Sequence, residues 1–205
     1  MESVKDLGVT FNMDLRFNDH IVNITSRATR MAGFILRNCS EFRNTQVLKR
    51  LYVALVRPLV EYNTIVWSPS TACTINMLEG IQRKFLKYIH LKNTGSYPVR
   101  GYPNHLLLEE FQLYALERRR TYFEVVFILK VATGKIDSTE ILERLKFRVP
   151  RASARIQDIF YVDHSRKCVK WDASISRMCR SINEISRTID LATTTVGDLR
   201  NVYFQ

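Results

Sequence analysis

Apolar residues recur at alternating steps of four and three in the segment that begins near position 17. The members of this seam are Phe17, Ile21, Ile24, Ala28, Met31 and Ile35. Steps of three and four place side chains on one face of an α-helix. Asn23, Arg27, Arg30 and Arg37 fall on another stripe of the same helix, so the pattern predicts an apolar face toward a core and a basic face toward solvent.

The helical period continues through Leu51–Pro69 and crosses a proline. Thr45 is predicted to cap a second helix, whose buried side consists of Leu48, Leu51, Tyr52 and Leu55. The residue before a proline is biased away from helical geometry, so we expect a kink or a brief interruption between Arg57 and Pro58. Beyond it, the pattern predicts a bent helix or a new short one that ends in a turn at Trp67-Ser68-Pro69.

A third helix is predicted from about Thr71 to His90. Its apolar side consists of Ile75, Leu78, Gln82, Phe85 and Ile89, with Gln82 as the single polar member. Arg83, Lys84 and Lys87 lie on another side. The following segment, Lys92–Asn104, contains two glycines and two prolines. This composition predicts a loop and the boundary between two subdomains.

The chain beyond this loop is predicted to be helical but less regular. Helical composition extends to Gly134, a natural C-terminal stop, and Asp137 with Glu140 resembles a capping box for a short helix through Leu145. Residues 147–162 are basic and irregular. A last amphipathic helix is predicted from the repeat of Ile175, Met178, Ile182, Ile185 and Ile189.

The amino-terminal segment Val4–Phe11 predicts one strand, which cannot form a sheet alone. The predicted fold class is therefore mainly α: a helical bundle preceded by a single orphan β-strand, with a less regular helical C-terminal part. The predicted organisation is a strand remnant at 1–16, a helical bundle at 17–91, a loop at 92–104 and a helical region at 105–205.

The net charge indicates an anionic partner. The 205 residues carry 31 Lys and Arg against 20 Asp and Glu, a formal charge of +11. Nucleic acid is the first expectation and an acidic membrane surface the second; a soluble, arginine-rich surface is the alternative. No apolar run reaches the roughly 20 residues that span a bilayer. The four scattered cysteines and the absence of a signal-like start predict an intracellular protein, in cytoplasm or nucleus, and not a secreted one.

Candidate chemistry is limited to binding. No nucleotide-binding or hydrolase motif occurs, and no catalytic residue, metal site or cofactor is predicted. His164 and Cys168 lack a second pair of ligands, so a structural role is favoured over zinc. Cations along a groove suffice to bind phosphates. The predicted phosphate contacts are Arg27, Arg30, Arg37, Arg83, Lys84 and Lys87, with Arg118, Arg119 and Arg120 as weaker candidates. Arg57 is a further weaker candidate, although beside Pro58 and Glu61 it has an alternative role in an ion pair that holds the bend.

Three blocks together resemble a known family. Lys5–Ile21, Leu51–Pro69 and Ile81–His90, in this order and spacing, resemble the end of the reverse transcriptase of insect non-LTR retrotransposons of the jockey-like group. Leu116–Arg120, Ala132–Asp137 and Phe147–Arg155 resemble the region downstream of it in the same reading frame. The similarity covers nearly the whole chain and weakens after about Asp158.

The resemblance implies a particular part of that enzyme. In the family, the leucine-glycine block closes the palm, and the helices after it form a thumb that grips the template–primer duplex. Residues 1–16 would then be a palm remnant, 17–91 the thumb and 105–205 a connection region. The parent enzyme uses magnesium, but no position of this sequence matches its aspartate motif, so the chain is not expected to polymerise on its own.

The predicted partners are duplex or single-stranded RNA and DNA, with no membrane and no small-molecule substrate. Self-association is a further expectation, from an exposed strand edge at the amino terminus. Two alternatives remain open: a non-catalytic helical structural or interaction protein, and a non-functional relic of a mobile element.

Overall fold

The structure is a computed structural model that describes residues 3–13, 15, 17–69, 71–148, 158–162, 172–187, 189 and 194–204. The chain divides into two compact units, Met1–Glu117 and Arg118–Gln205. The described residues are mainly helical and include a small two-stranded antiparallel sheet. The prediction of a mainly α protein is therefore confirmed.

The amino-terminal segment forms a hairpin, so the prediction of a single orphan strand is wrong. Strands β1 (Ser3–Asp6) and β2 (Val9–Asn12) pair antiparallel, with Ser3 opposite Asn12. The turn residues Leu7 and Gly8 have φ values of 42° and 84°. Positive φ at both central residues is the geometry that matches the twist of a two-residue hairpin. A leucine in the left-handed region is unusual, which is why the sequence pattern suggests an unbroken strand.

The first predicted helix is confirmed. Helix α1 (Asn18–Asn38) buries one side, made of His20, Ile21, Ile24, Ala28, Ala32 and Ile35. Four of these positions belong to the predicted seam, while its other two members, Phe17 and Met31, are only partly buried. His20 and Ala32 were not predicted to be buried. Val9 of β2, which is 0% exposed, joins the same core, so the hairpin packs beside the start of the helix.

The helix that carries Pro58 is continuous and has a widened turn in front of the proline. Helix α2 (Thr45–Leu51), a π-helical turn (Tyr52–Val56) and helix α3 (Arg57–Glu61) follow one another without a break. The Arg57 N–H donates to the Tyr52 carbonyl, five residues earlier. A proline ring crowds the preceding turn, and a π-turn is one way to accommodate it. The expected interruption is therefore replaced by a local widening.

Two features of the second predicted helix differ in the structure, namely its buried side and its N-cap residue. Because a π-turn contains an extra residue, it shifts the buried side by one position: Leu55 is 42% exposed and Val56 is 0% exposed. The cap of α2 is Asn44, whose Oδ1 accepts a hydrogen bond from the Gln46 N–H at 3.0 Å. Thr45 is the first helical residue instead. Beyond α3, a short helix α4 (Thr64–Trp67) buries Trp67.

The third predicted helix is confirmed and is longer than expected. Helix α5 (Ala72–Thr94) starts at Thr71, whose hydroxyl accepts from the Thr74 N–H at 3.3 Å, and ends at Gly95 with φ 77°. Helix α5 runs parallel to α1, because two contacts join the C-terminal end of α1 to the C-terminal end of α5. The Tyr88 hydroxyl donates to the Leu36 carbonyl at 3.4 Å, and the Lys92 ammonium donates to the Ser40 carbonyl.

The boundary between the units lies after the predicted loop. Helix α6 (Asn104–Glu110) packs against α5, and the turn at Gln112 (φ 49°) separates it from α7 (Leu116–Ala132). Leu107, Phe111 and Leu116 belong to the same core cluster as α1 and α5. The core of the first unit therefore includes α6 and the start of α7, which follow the predicted loop at Lys92–Asn104.

A buried carboxylate on α5 holds the start of α7. Glu79 is 8% exposed, and its oxygens accept hydrogen bonds from the N–H groups of Leu116 (3.3 Å) and Glu117 (2.7 Å). These are the first two N–H groups of the helix, which have no partner within it. We expect Glu79→Ala to lower the free energy of unfolding by about 1–2 kcal/mol. Urea denaturation would measure this, with the exposed Glu109→Ala as a control that changes stability by less than about 0.5 kcal/mol.

The second unit contains part of α7 together with α8 (Thr139–Leu142), α9 (Asp172–Ser186) and α10 (Val196–Phe204). Helix α9 confirms the last predicted helix, whereas α10 was not predicted. The residue before α8 is Ser138, and no side chain caps this helix, so the capping role predicted for Asp137 is wrong. The irregular basic stretch falls mostly at 149–157, outside the described residues. The side-chain amide of Asn183 accepts a hydrogen bond from the Phe160 N–H and donates one to the Phe160 carbonyl.

Candidate nucleic-acid interface

Basic side chains are concentrated on the two long parallel helices of the first unit. Helix α1 carries three, and α5 carries four. They are Arg27, Arg30, Arg37, Arg83, Lys84, Lys87 and Lys92. The first five are exposed, whereas Lys87 and Lys92 are half-buried. We call these seven residues the cationic faces of α1 and α5.

Few acidic groups lie near the cationic faces on these helices. Helices α1 and α5 contain one carboxylate each, Asp19 and Glu79. Asp19 lies in the first turn of α1 and accepts from the Asn12 amide at 2.7 Å. Glu79 is turned into the core, where it caps α7. Neither carboxylate forms an ion pair with the cationic faces in the part of the chain that the structure describes, so the positive charge of these helices is left for solvent or a ligand.

Lys84 of α5 lies at a groove between the two helices, and Arg37 of α1 lies beside it. Lys84 lines this groove. The guanidinium of Arg37 lies over Gly33, another lining residue, since a Cβ added at Gly33 would be 3.3 Å from Arg37 Nη1. Arg27 lies on the far side of α1 from the groove, because successive helical residues turn by about 100°, and Arg83 does not line the groove. The cations therefore cover the outward surface of the helix pair, and two of them also border the groove.

The two half-buried lysines also contact aromatic rings. Lys87 Nζ lies 5.8 Å from the centre of the Tyr97 ring, and Lys92 Nζ lies 5.7 Å from that of Tyr88. Lys92 was not among the predicted contacts. Because it also donates to the Ser40 carbonyl at the end of α1, it has a structural role in holding the two helices together.

The weaker candidates occupy different environments. Arg57 pairs with Glu61 at 3.7 Å, which is the alternative role considered for it. The consecutive arginines at the start of α7 diverge: Arg118 is exposed and donates to the Val202 carbonyl at 3.4 Å, whereas Arg120 is 2% exposed. Arg119 lies 5.5 Å from the rings of both Phe123 and Phe204. These three therefore do not form one exposed row.

A buried histidine lies beside the cationic face of α1. His20 is 3% exposed; its Nδ1 accepts from the Thr10 N–H at 3.2 Å, and its ring lies edge-on to Trp67 at 5.2 Å. Burial, and secondarily the positive charge of Arg27, lower the pKa of His20 from its ordinary value of 6.5. The hydrogen bond from Thr10 requires a neutral Nδ1, so His20 is a structural residue that is held uncharged.

This lowered pKa predicts a loss of stability in acid. The unfolded chain binds a proton at His20 as the pH falls through about 6.5, whereas the folded chain resists protonation until a lower pH. The folded state binds fewer protons in that window, so its stability decreases as the pH falls below about 6.5. Unfolding measured between pH 8 and pH 5 should show this decrease, and His20→Asn, which keeps an acceptor for Thr10, should show a weaker one. Equal slopes in the two proteins would contradict the assignment.

Sequence reasoning missed two glycines at the groove. Gly33 and Gly80 lie within α1 and α5 and face the space between them. The only signal in the sequence was a glycine inside each helical pattern, at a cost of roughly 0.5–1 kcal/mol relative to alanine.

Searches against protein families, curated proteins and solved structures gave no match. Among the described residues, no helix combines the length and apolar character that crossing a bilayer requires. The same residues contain no group of three or more His, Cys, Asp or Glu side chains placed to hold a metal ion. His164 and Cys168 lie outside the described residues.

Proposed function

We propose that this chain is the thumb and connection portion of a reverse transcriptase of the non-LTR, jockey-like group, and that its first unit binds the backbone of a template–primer duplex. The observation that carries the proposal is the pair of cationic faces on α1 and α5, whose neighbouring carboxylates are engaged elsewhere. The resemblance of the three sequence blocks supports the choice of family.

The dimensions of the cationic faces suit a phosphate backbone. From Arg27 to Arg37 the helix rises by about 15 Å, the length of duplex axis along which one strand places about four phosphates, at a rise of about 3.4 Å each. Packed helices lie 8–10 Å apart, so α1 and α5 together present a broad basic surface. Phosphate contacts of this kind position a protein on nucleic acid without reading its sequence.

The proposed role is binding, and polymerisation would require the rest of the enzyme. The family's magnesium-binding aspartates belong to a motif that no position of this sequence matches. We expect the purified chain to produce no extended primer when it is supplied with magnesium, a primed RNA template and deoxynucleotides. Extension that withstands further purification of the chain would overturn the non-catalytic part of the proposal.

The binding part is tested with a labelled RNA–DNA hybrid. Fluorescence anisotropy at low salt should give saturable binding by the whole chain, and adding salt should weaken it, because cations on the protein release counterions from the backbone. An unchanged anisotropy over the whole titration would favour the alternative class, a helical structural or interaction protein that uses its basic surface for solubility alone.

A further inference from the structure

The groove between α1 and α5 has the size and lining of a ligand site. Its volume is about 440 Å³, within the range of pockets that hold small molecules. Its apolar walls come from both helices: Ala32, Leu36, Met77, Ile81 and Phe85. All of these residues belong to the first unit.

The packing of the protein does not require a glycine at position 80. A Cβ added there would have no atom of the chain within 4 Å, so an alanine would fit and would stabilise the middle of α5. Glycine is the residue that lets a ligand approach the backbone closely. The space over Gly80 is thus open toward the groove and is not filled by any described side chain.

Polar groups lie at both ends of the groove. Thr25 and Asn76 line one end, and the Thr25 hydroxyl is buried without a hydrogen-bond partner among the described residues. Lys84 and the guanidinium over Gly33 lie about two turns further along. Eight residues of helix separate Thr25 from Gly33, a rise of about 12 Å. A ligand that satisfies both ends is apolar in the middle, carries polar edges at one end and is anionic at the other.

We infer that this groove holds one nucleotide, with its base between the apolar walls and its phosphate at Lys84 and Arg37. The faces of a base are apolar and its edges carry donors and acceptors, which suits the walls and the Thr25 end. The two cations have no ion-pair partner among the described residues, which suits the phosphate. This goes beyond backbone binding on the outer surface and departs from the expectation that the chain has no small-molecule ligand. The nucleotide is either free or a single unpaired unit of a strand.

Calorimetric titration of the whole chain with AMP tests the inference. Saturable binding of AMP is expected, tighter than that of inorganic phosphate. Gly80→Leu places a side chain in the groove, and because leucine is a better helix former than glycine, the variant should fold. It should bind AMP at least about tenfold more weakly. Lys84→Gln should weaken binding about tenfold through the lost charge-assisted contact, whereas Lys5→Gln, at an exposed lysine of β1 that does not line the groove, should change it less than about twofold.

Three results would overturn the inference: no saturable binding of AMP, binding of inorganic phosphate as tight as that of AMP, or an unchanged affinity in Gly80→Leu with normal thermal unfolding. A short single-stranded oligonucleotide distinguishes the two sources of the nucleotide. If it competes with AMP and Gly80→Leu weakens both, the site takes a unit of a strand; if only AMP binds, the ligand is free. Gly80→Leu keeps the outer cations, so hybrid binding should persist in it. A chain that binds the hybrid but not AMP would therefore contradict this inference alone. A chain that binds AMP but not the hybrid would contradict the proposed function alone.

Discussion

Replacing the three arginines of α1 by glutamine should weaken binding to an RNA–DNA hybrid by roughly 10²–10³-fold at 0.1 M salt. Each phosphate contact releases close to one counterion and so contributes roughly tenfold at that salt concentration. Arg27, Arg30 and Arg37 are exposed, and the only carboxylate of their helix is engaged by Asn12. Fluorescence anisotropy with a labelled hybrid would measure the change.

A matched control removes the same charge elsewhere in the first unit. Arg43, Arg50 and Arg100 are also exposed and lie outside α1 and α5. Their replacement by glutamine should weaken binding by less than about tenfold, since it alters only the general attraction and no direct contact. Equal losses in the two triple variants would mean that net charge alone determines the affinity.

Trp67→Ala should destabilise the protein by about 3–5 kcal/mol, the usual cost of removing a large buried aromatic side chain. Trp67 is 1% exposed, its Nε1 donates to the Tyr62 carbonyl at 2.8 Å, and its ring contacts His20. It therefore joins α4 to α1 and to the turn after α3. Chemical denaturation would measure the loss.

The control for Trp67 is an aromatic residue on the surface of the same unit. Phe34 is 55% exposed on α1. Phe34→Ala should change the stability by no more than about 0.5 kcal/mol. A loss below about 1 kcal/mol for Trp67→Ala would show that α4 contributes little to the core.

The helices were predictable because the apolar spacing that indicates each one lies within a single continuous stretch of sequence. Ile21, Ile24 and Ala28 in α1, and Leu78, Phe85 and Ile89 in α5, follow the spacing of a helix without interruption, and each lies in the core. Thr71 and Gly95 bound α5 as ordinary cap residues do. The cationic faces were predictable for the same reason, because their basic residues lie on the sides of α1 and α5 that do not carry the apolar seams.

The features that were missed depend on local strain or on distant partners. The hairpin turn requires a left-handed Leu7, and Gly8 is the only residue of Val4–Phe11 that marks a turn. The π-turn before Pro58 is one of several ways to accommodate a proline. Glu79 is inside the core because it caps a helix that begins 37 residues later. The groove exists because Gly33 and Gly80 face the same space, which the sequence of either helix alone cannot indicate.

The central claim is that α1 and α5 bind a nucleic-acid backbone, and the salt dependence of hybrid binding tests it most directly. The logarithm of the affinity should fall linearly with the logarithm of the salt concentration, with a slope of about −0.9 for each phosphate that is contacted. Replacing Arg27, Arg30 and Arg37 by glutamine should make this slope shallower by about three. A slope near zero for the native chain, or the same slope in the native chain and the triple variant, would contradict the account.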